Sequence, residues 1–255
     1  MIRDSHKLFF CVYDTAKEPE MQQFSVLFVT FMDKLRSICY DEEKDRRITE
    51  EQTEDNMDIQ KLRWTREPKH YEISDNRILI TTEPHTDLWQ RTYYHFRNDN
   101  APVLQMETEE KFFSFVVNTH FGDSHLRFDQ CGVAVYLDAE NWLKASVEYE
   151  NGDFQHLGSV VTNDGYSDWA TTEIPAAVKT MWYRLSRRED DFCVECSEDG
   201  LRFRQMRICH LRRGNGKIRF GIYACSPEAS SFTAEFTDFA VTGCLWKAHD
   251  GQQPD

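Results

Sequence analysis

With 255 residues, 13% aromatic and 29% charged, the chain can build one large β-domain or two small ones, and its make-up is that of a folded protein. The formal net charge of −14 argues against nucleic acid and anionic membrane surfaces as partners, since both demand clustered Lys and Arg. The pairs Arg187-Arg188 and Arg212-Arg213 are short and read as solvated loop ends.

In chain order, Met21 to Tyr40 carries Phe24, Leu27, Phe28, Phe31, Met32, Leu35 and Ile38 at three- and four-residue spacing, which predicts an amphipathic helix. Its apolar part, Phe24 to Met32, is too short to span a bilayer and lacks the marks of a signal peptide, so a cytoplasmic location is expected. Asp41 to Asp58 is strongly acidic and reads as an exposed linker. The expected division is thus an extension over residues 1–56 and a β-domain over 57–255, with Met57 as an alternative natural start.

Beyond Met57 the pattern changes to short alternating segments. Arg77 to Thr82, Ala101 to Thr108, Phe112 to His120, Gly132 to Leu137, Trp142 to Tyr149 and Phe154 to Thr162 read as strands. Trp169 to Ile174, Thr180 to Ser186, Asp191 to Ser197, Leu201 to Arg207, Lys217 to Ala224 and Phe232 to Thr242 follow. Between them lie turn residues, such as Glu150-Asn151-Gly152-Asp153 and Glu198-Asp199-Gly200, whose Asn-Gly and Asp-Gly pairs accept the backbone of tight hairpins. Many short strands joined by such turns predict an antiparallel sandwich or barrel. Cys193 and Cys196 form a C-x-x-C, but three residues apart on a strand they point to opposite faces, so they are expected neither to pair nor to share a metal.

Alternation also sorts the faces. On Trp142 to Tyr149, Leu143, Ala145, Val147 and Tyr149 form a core set, against Trp142, Lys144, Ser146 and Glu148. Thr180 to Ser186 sets Met181, Tyr183 and Leu185 against Trp182 and Arg184, and Lys217 to Ala224 sets Ile218, Phe220 and Ile222 against Arg219, Gly221 and Tyr223. One face is therefore expected to combine Trp, Tyr, Arg, Lys and Glu. Such a surface suits a saccharide, with rings under the C–H faces and charges on the hydroxyls, and equally suits aromatics packed under loops or under the N-terminal helix.

Thr86-Asp87-Leu88-Trp89-Gln90-Arg91-Thr92, Phe128-Asp129-Gln130-Cys131-Gly132 and Asn141-Trp142-Leu143-Lys144 carry a family likeness. So do Val160-Val161-Thr162-Asn163, Ser167-Asp168-Trp169 and Gly221-Ile222-Tyr223-Ala224-Cys225-Ser226-Pro227. Together, over about Leu62 to Leu245, they resemble the domain-of-unknown-function family labelled "regulation of enolase protein", in the concanavalin A-like lectin/glucanase superfamily. The family usually has a small residue where Cys131 stands. The resemblance implies a cytoplasmic, all-β, antiparallel concanavalin A-like jelly-roll β-sandwich; the short N-terminal helical extension expected from the spacing before Met57 lies outside it. The resemblance supports sugar binding by analogy with accessory domains of glycosidases.

Catalytic chemistry finds little anchor. Sandwich glucanases use two carboxylates on one strand face, and the usual Glu-x-Asp-x-Glu is absent; Glu148 with Glu150 and Glu107 with Glu109 are the remaining pairs. His120, Asp123 and His125 match no strong metal motif, and no nucleophile elbow, Walker loop or dinucleotide fingerprint occurs. No catalytic residue, metal or cofactor is therefore assigned. Ser167-Asp168-Trp169 either presents a carboxylate beside a stacking ring or caps and seals a strand entrance, and Asp87 to Arg91 has the same two readings. The expected function is non-catalytic binding of a carbohydrate or small hydroxylated metabolite, linked to the regulation of sugar metabolism, through Trp89, Arg91, Lys144, Glu148, Asp168, Trp169 and Tyr223. The alternatives are a glycoside-active enzyme using a groove carboxylate pair and an interaction module for a metabolic enzyme.

Overall fold

The computed structural model describes residues 57–247 apart from residue 94, so the helix and acidic linker expected before Met57 lie outside the described residues. The strands are β1 (Arg63–Trp64), β2 (His70–Ser74), β3 (Arg77–Thr81), β4 (Leu88–Gln90), β5 (Arg97–Asp99), β6 (Val103–Thr108), β7 (Phe112–His120) and β8 (Gln130–Asp138). They continue with β9 (Asn141–Tyr149), β10 (Phe154–Asn163), β11 (Tyr166–Pro175), β12 (Thr180–Arg188), β13 (Asp191–Ser197), β14 (Arg204–His210), β15 (Ile218–Cys225) and β16 (Thr233–Gly243). All twelve expected strands form. The one predicted over Leu201 to Arg207 starts later, at Arg204, because the Asp199 carboxylate accepts from the backbone N–H of Leu201 (2.8 Å) and Arg202 (2.9 Å) and extends the turn.

Two seven-stranded antiparallel sheets face each other, ordered β1-β6-β15-β8-β9-β10-β11 and β14-β13-β12-β7-β16-β3-β2. The described residues form an all-β jelly-roll sandwich. Among the described residues no helix is long and apolar enough to cross a membrane. The core between the sheets is built from the inward residues of every central strand, including Leu143, Ala145, Val147, Phe220, Ile222, Tyr183, Leu185 and Phe115. Cys196 joins this core with Phe192 and Val194, while Cys193 alternates to the other face, as expected for a C-x-x-C on a strand. All the described cysteines are free.

The centre of the first sheet is buried on both faces: β9 is buried from Asn141 to Glu148. A second cluster on its outer side joins Leu88 and Ala101 to Tyr136, Trp142, Val160 and Tyr223. The cover is the β4–β5 hairpin and its flanks, held by the Asn98 and Asn100 side-chain amides on the His85 carbonyl (3.1 and 2.9 Å) and by Gln90 N–H on the Ser167 hydroxyl (2.9 Å). His85, Arg91, Tyr93 and His95 adopt positive φ there, so this strap turns sharply at four non-glycine residues.

The basic pair Arg187-Arg188 is not a solvated loop end. Arg187 is fully buried, and its guanidinium donates to the carbonyls of Glu189 (2.5 Å), Glu110 (2.8 Å), Gly214 (2.7 Å) and Gly216 (2.7 Å). Burial lowers its pKa, yet it remains charged because the surrounding loop carbonyls solvate it in place of water. Arg188 donates to the Trp246 carbonyl at 2.7 Å and lies over that indole. Arg187→Met should strand four carbonyls and cost about 3 kcal/mol or more in urea unfolding, against roughly 1 kcal/mol for Arg188→Met. Equal midpoints for the two variants would show that Arg187 does not hold these loops.

Candidate functional site

The outer face of the first sheet carries a line of buried polar groups. The Lys144 ammonium donates to the Asp87 carboxylate at 3.1 Å and to Gln130 Oε1 at 2.9 Å, and it lies 5.6 Å from the Tyr223 ring centre. Tyr223 donates its phenol to Gln130 Oε1, with Ser146 Oγ also at 2.8 Å. Burial works against the Lys144 charge, but Asp87, with Cys225 and Glu148, outweighs it and raises the pKa. Lys144 and Tyr223 are thus sealed beneath the strap, where they fix Gln130 and Asp87 without reaching solvent.

Glu148, next on this face of β9, is buried as well, between Gln130 of β8 and His156 of β10. Burial pushes its pKa up to about 7; Lys144 pulls it down, Asp87 and Glu150 add to the rise, and a hydrogen bond with Ser146 lowers it. Beyond it the face opens. Trp169 on the edge strand β11 is 43% exposed, and Thr171 and Glu173 follow it outward. A Cβ on Gly158 would stand 3.1 Å from Glu148 Oε1 and 3.3 Å from Trp169 Nε1, so the absent side chain lets carboxyl and indole converge over bare backbone. The Trp169 ring meets Trp89 and His156 edge-on at 6.2 and 6.3 Å. His156 Nδ1 is buried without a hydrogen-bond partner, 3.8 Å from a Glu150 oxygen that Arg127 also holds at 3.0 Å.

Of the residues expected to share a groove, the structure brings together Trp89, Lys144, Glu148, Trp169 and Tyr223. Asp168 does not join them: neighbouring Trp169 on an extended strand, it points the other way and accepts from Arg207 of β14 at 2.8 Å. Arg91 is also apart, because its positive φ ends β4 and turns the guanidinium to Glu140 (2.6 Å) and the Gly165 carbonyl (3.0 Å). Gly165 itself has φ 76°, and a Cβ there would collide with Arg91 Nη1. Trp182 and Arg184 belong to the second sheet, not to this face. The indole lies against Gly200, and Arg184 pairs with both Glu195 oxygens at 2.6 and 2.8 Å. Two participants, Gln130 and His156, escaped the sequence reading, and Asp87, weighed there as a possible ligand carboxylate, is the partner of Lys144 instead. For His156 the signal was available, since β10 alternates His156, Gly158 and Val160 against Leu157, Ser159 and Val161.

Among the described residues, one group has metal-ligand composition: Asp190, Asp191 and His210, with ligand atoms within 4.8 Å of one another. The imidazole already spans the two carboxylates, at 2.8 Å from Asp191 and 3.9 Å from Asp190. His120, Asp123 and His125 make no such group; His125 Nδ1 lies 2.9 Å from the Asp123 carbonyl oxygen and His120 Nε2 lies 3.2 Å from the Asn118 amide.

The family described as "Protein of unknown function (DUF1349)" matches residues 64–244. The chain belongs to this family. It is 29% identical over 196 residues to "Regulation of enolase protein 1" of Saccharomyces cerevisiae, covering 76% of this chain and 96% of that one. The resemblance read from the sequence is thereby borne out. A solved structure of a functionally unknown protein from Saccharomyces cerevisiae is 26% identical, with a TM-score of 0.69 over 74% of this DUF1349 chain and all of that one. A xylan β-1,4-xylosidase from Bacillus halodurans C-125 matches at 10% identity and a TM-score of 0.55, over 70% of this chain and 36% of that enzyme. At that identity the likeness is one of fold.

The raised pKa of Glu148 fixes a sign. The folded chain holds a proton that the unfolded chain releases near pH 4.5, so this stabilising contribution is full below that pH and is lost as pH rises through about 7. Glu148→Gln should therefore leave stability nearly unchanged at pH 4 and raise it by about 1–3 kcal/mol at pH 8. Unfolding curves of both proteins at the two pH values check this, and a gain independent of pH would contradict the burial argument.

Proposed function

We propose that this chain is a non-catalytic, cytoplasmic binding domain for a saccharide or another small hydroxylated metabolite, which serves the regulation of sugar metabolism. One observation carries the reading: a partly exposed Trp169 converges with a buried Glu148 of pKa about 7 over Gly158. The ring supplies a flat apolar surface for the C–H face of a sugar, and no described residue accepts from its indole N–H. Near neutral pH the Glu148 carboxyl is present both protonated and ionised, so it can donate to or accept from a hydroxyl. Lys144, on the same face of β9, favours its ionised form through space. The regulatory part of the proposal rests on the name of the yeast relative.

Catalysis would need a second carboxylate free to act beside Glu148. Glu150, just past the end of β9, is held by Arg127, and Glu173, the other carboxylate on this face, stands two strands away on β11. Binding without turnover is therefore the reading adopted.

Screening the purified chain against mono- and oligosaccharides and sugar phosphates by thermal shift finds the ligand class through mass action. Trp169→Ala and Glu148→Ala should each weaken binding by about tenfold, near 1.4 kcal/mol. Glu148→Gln should keep most of the affinity, since an amide also donates and accepts, but lose the dependence on pH around 7. Unaltered binding in both alanine variants would remove this site. Glycoside turnover that Glu148→Gln abolishes would replace the binding reading with an enzymatic one.

A further inference from the structure

The two sheets end side by side, and the edge strand β11 with its hairpin faces the edge strand β14 across a cleft of about 620 Å³. That volume is in the usual range for small-molecule sites, roughly 300–1,000 Å³. Val161 and the Cys209 thiol, which burial pushes up to about 12, line its inner part. Asn163 spans it: its amide donates to the His210 carbonyl at 2.9 Å and accepts from Arg212 N–H at 2.8 Å. Tyr166, 63% exposed, forms an aromatic wall.

The guanidinium of Arg207 distinguishes this cleft. Its side chain is only 20% exposed, yet it makes a single hydrogen bond, from Nη2 to Asp168 at 2.8 Å. Other well-covered guanidiniums make more bonds: Arg184 binds a carboxylate with two N–H groups, and Arg187 binds four carbonyls. None of the remaining Arg207 nitrogens is sealed from solvent without a partner, and the side chain lines the cleft. Its one partner is weakly held, for the Asp168 side chain is 71% exposed and such a pair contributes little. Arg212 lines the same cleft, with its own exposed partner, Asp164, at 2.9 Å.

We propose that this cleft binds a small organic phosphate monoester, whose phosphate replaces the Asp168 carboxylate on Arg207 while its organic body lies against Tyr166. A phosphate brings more charge and more acceptor oxygens than a carboxylate, and can use guanidinium donors that a single Asp168 oxygen leaves unfilled. Asp164 and Asp168 oppose any anion here. Asp168, projecting into solvent from the edge strand, is free to swing away. The site is separate from the Trp169 face, since Asp168 and Trp169 project from opposite sides of β11.

Phenyl phosphate titrated calorimetrically into the full chain at low salt tests this. Saturable binding is expected, stronger than that of inorganic phosphate. Asp168→Asn, which removes the competing carboxylate, should tighten binding by about fivefold, and Arg207→Gln should weaken it by roughly tenfold. The opposite signs matter, because a variant that simply disturbed the fold would only weaken binding. An Asp168→Asn protein that binds no tighter than the parent, or an Arg207→Gln protein that binds equally well, overturns the proposal.

Discussion

The ion pair between Lys144 and Asp87 organises everything on the outer side of the first sheet. An ammonium in the middle of a buried β-strand is tolerated only when its charge is matched and its donors are filled. Here the carboxylate arrives from a segment 57 residues away in the chain, and Gln130 fills a second donor. Matching the charge therefore brings the strap down onto the sheet, and Leu88 comes with it into the apolar cluster of Trp142, Tyr136 and Val160. The Tyr136 phenol on the Asp99 carboxylate, at 2.9 Å, and Arg66 at 3.4 Å from the same carboxylate fasten the far end of the hairpin.

This cover divides a single sheet face into two regimes. Under the strap, Lys144 and Tyr223 are positioning groups, with every polar atom partnered inside the protein. Past the strap, from Glu148 to β11, the face reaches solvent. Glu148 stands at the boundary, desolvated by the covered half and within reach of the exposed one, and that is the physical origin of its pKa near 7. The same carboxyl on an uncovered sheet would titrate like any surface glutamate. Sealing one half is thus what gives the other half a titratable group with unusual properties.

Sequence alternation was enough to assign twelve of the sixteen described strands, the inward sets of β9, β12 and β15, and the divergence of Cys193 and Cys196, because each depends on period-two geometry within one strand. What it could not supply was non-local. Lys144 and Tyr223 looked like solvent-facing members of a groove, since nothing local shows that Asp87 and Leu88 return to cover them. Trp182 and Arg184 had the right parity but sit on the other sheet, and strand order is not written in alternation. Arg187 looked like a loop end because its four acceptors come from three separate loops. Asp168 is a different case. Its position next to Trp169 already implied the opposite face once the segment was taken as a strand.

A β-sandwich has two outer faces and a rim, and which of them can hold a ligand is decided by what the connecting segments leave uncovered. In this chain the longest stretch of outer polar alternation, on β9, is largely closed, while the edge strands β11 and β14 remain accessible. The accessible polar groups consequently lie at the margin of the sheet and not at its centre. Trp169 on one side of β11 and Asp168 on the other give a single edge strand two distinct surfaces, one aromatic beside a protonatable carboxyl and one rich in guanidinium. The family fold supplies the frame common to these relatives. The strap and the edge residues set which polar groups of this chain are already satisfied and which still face water.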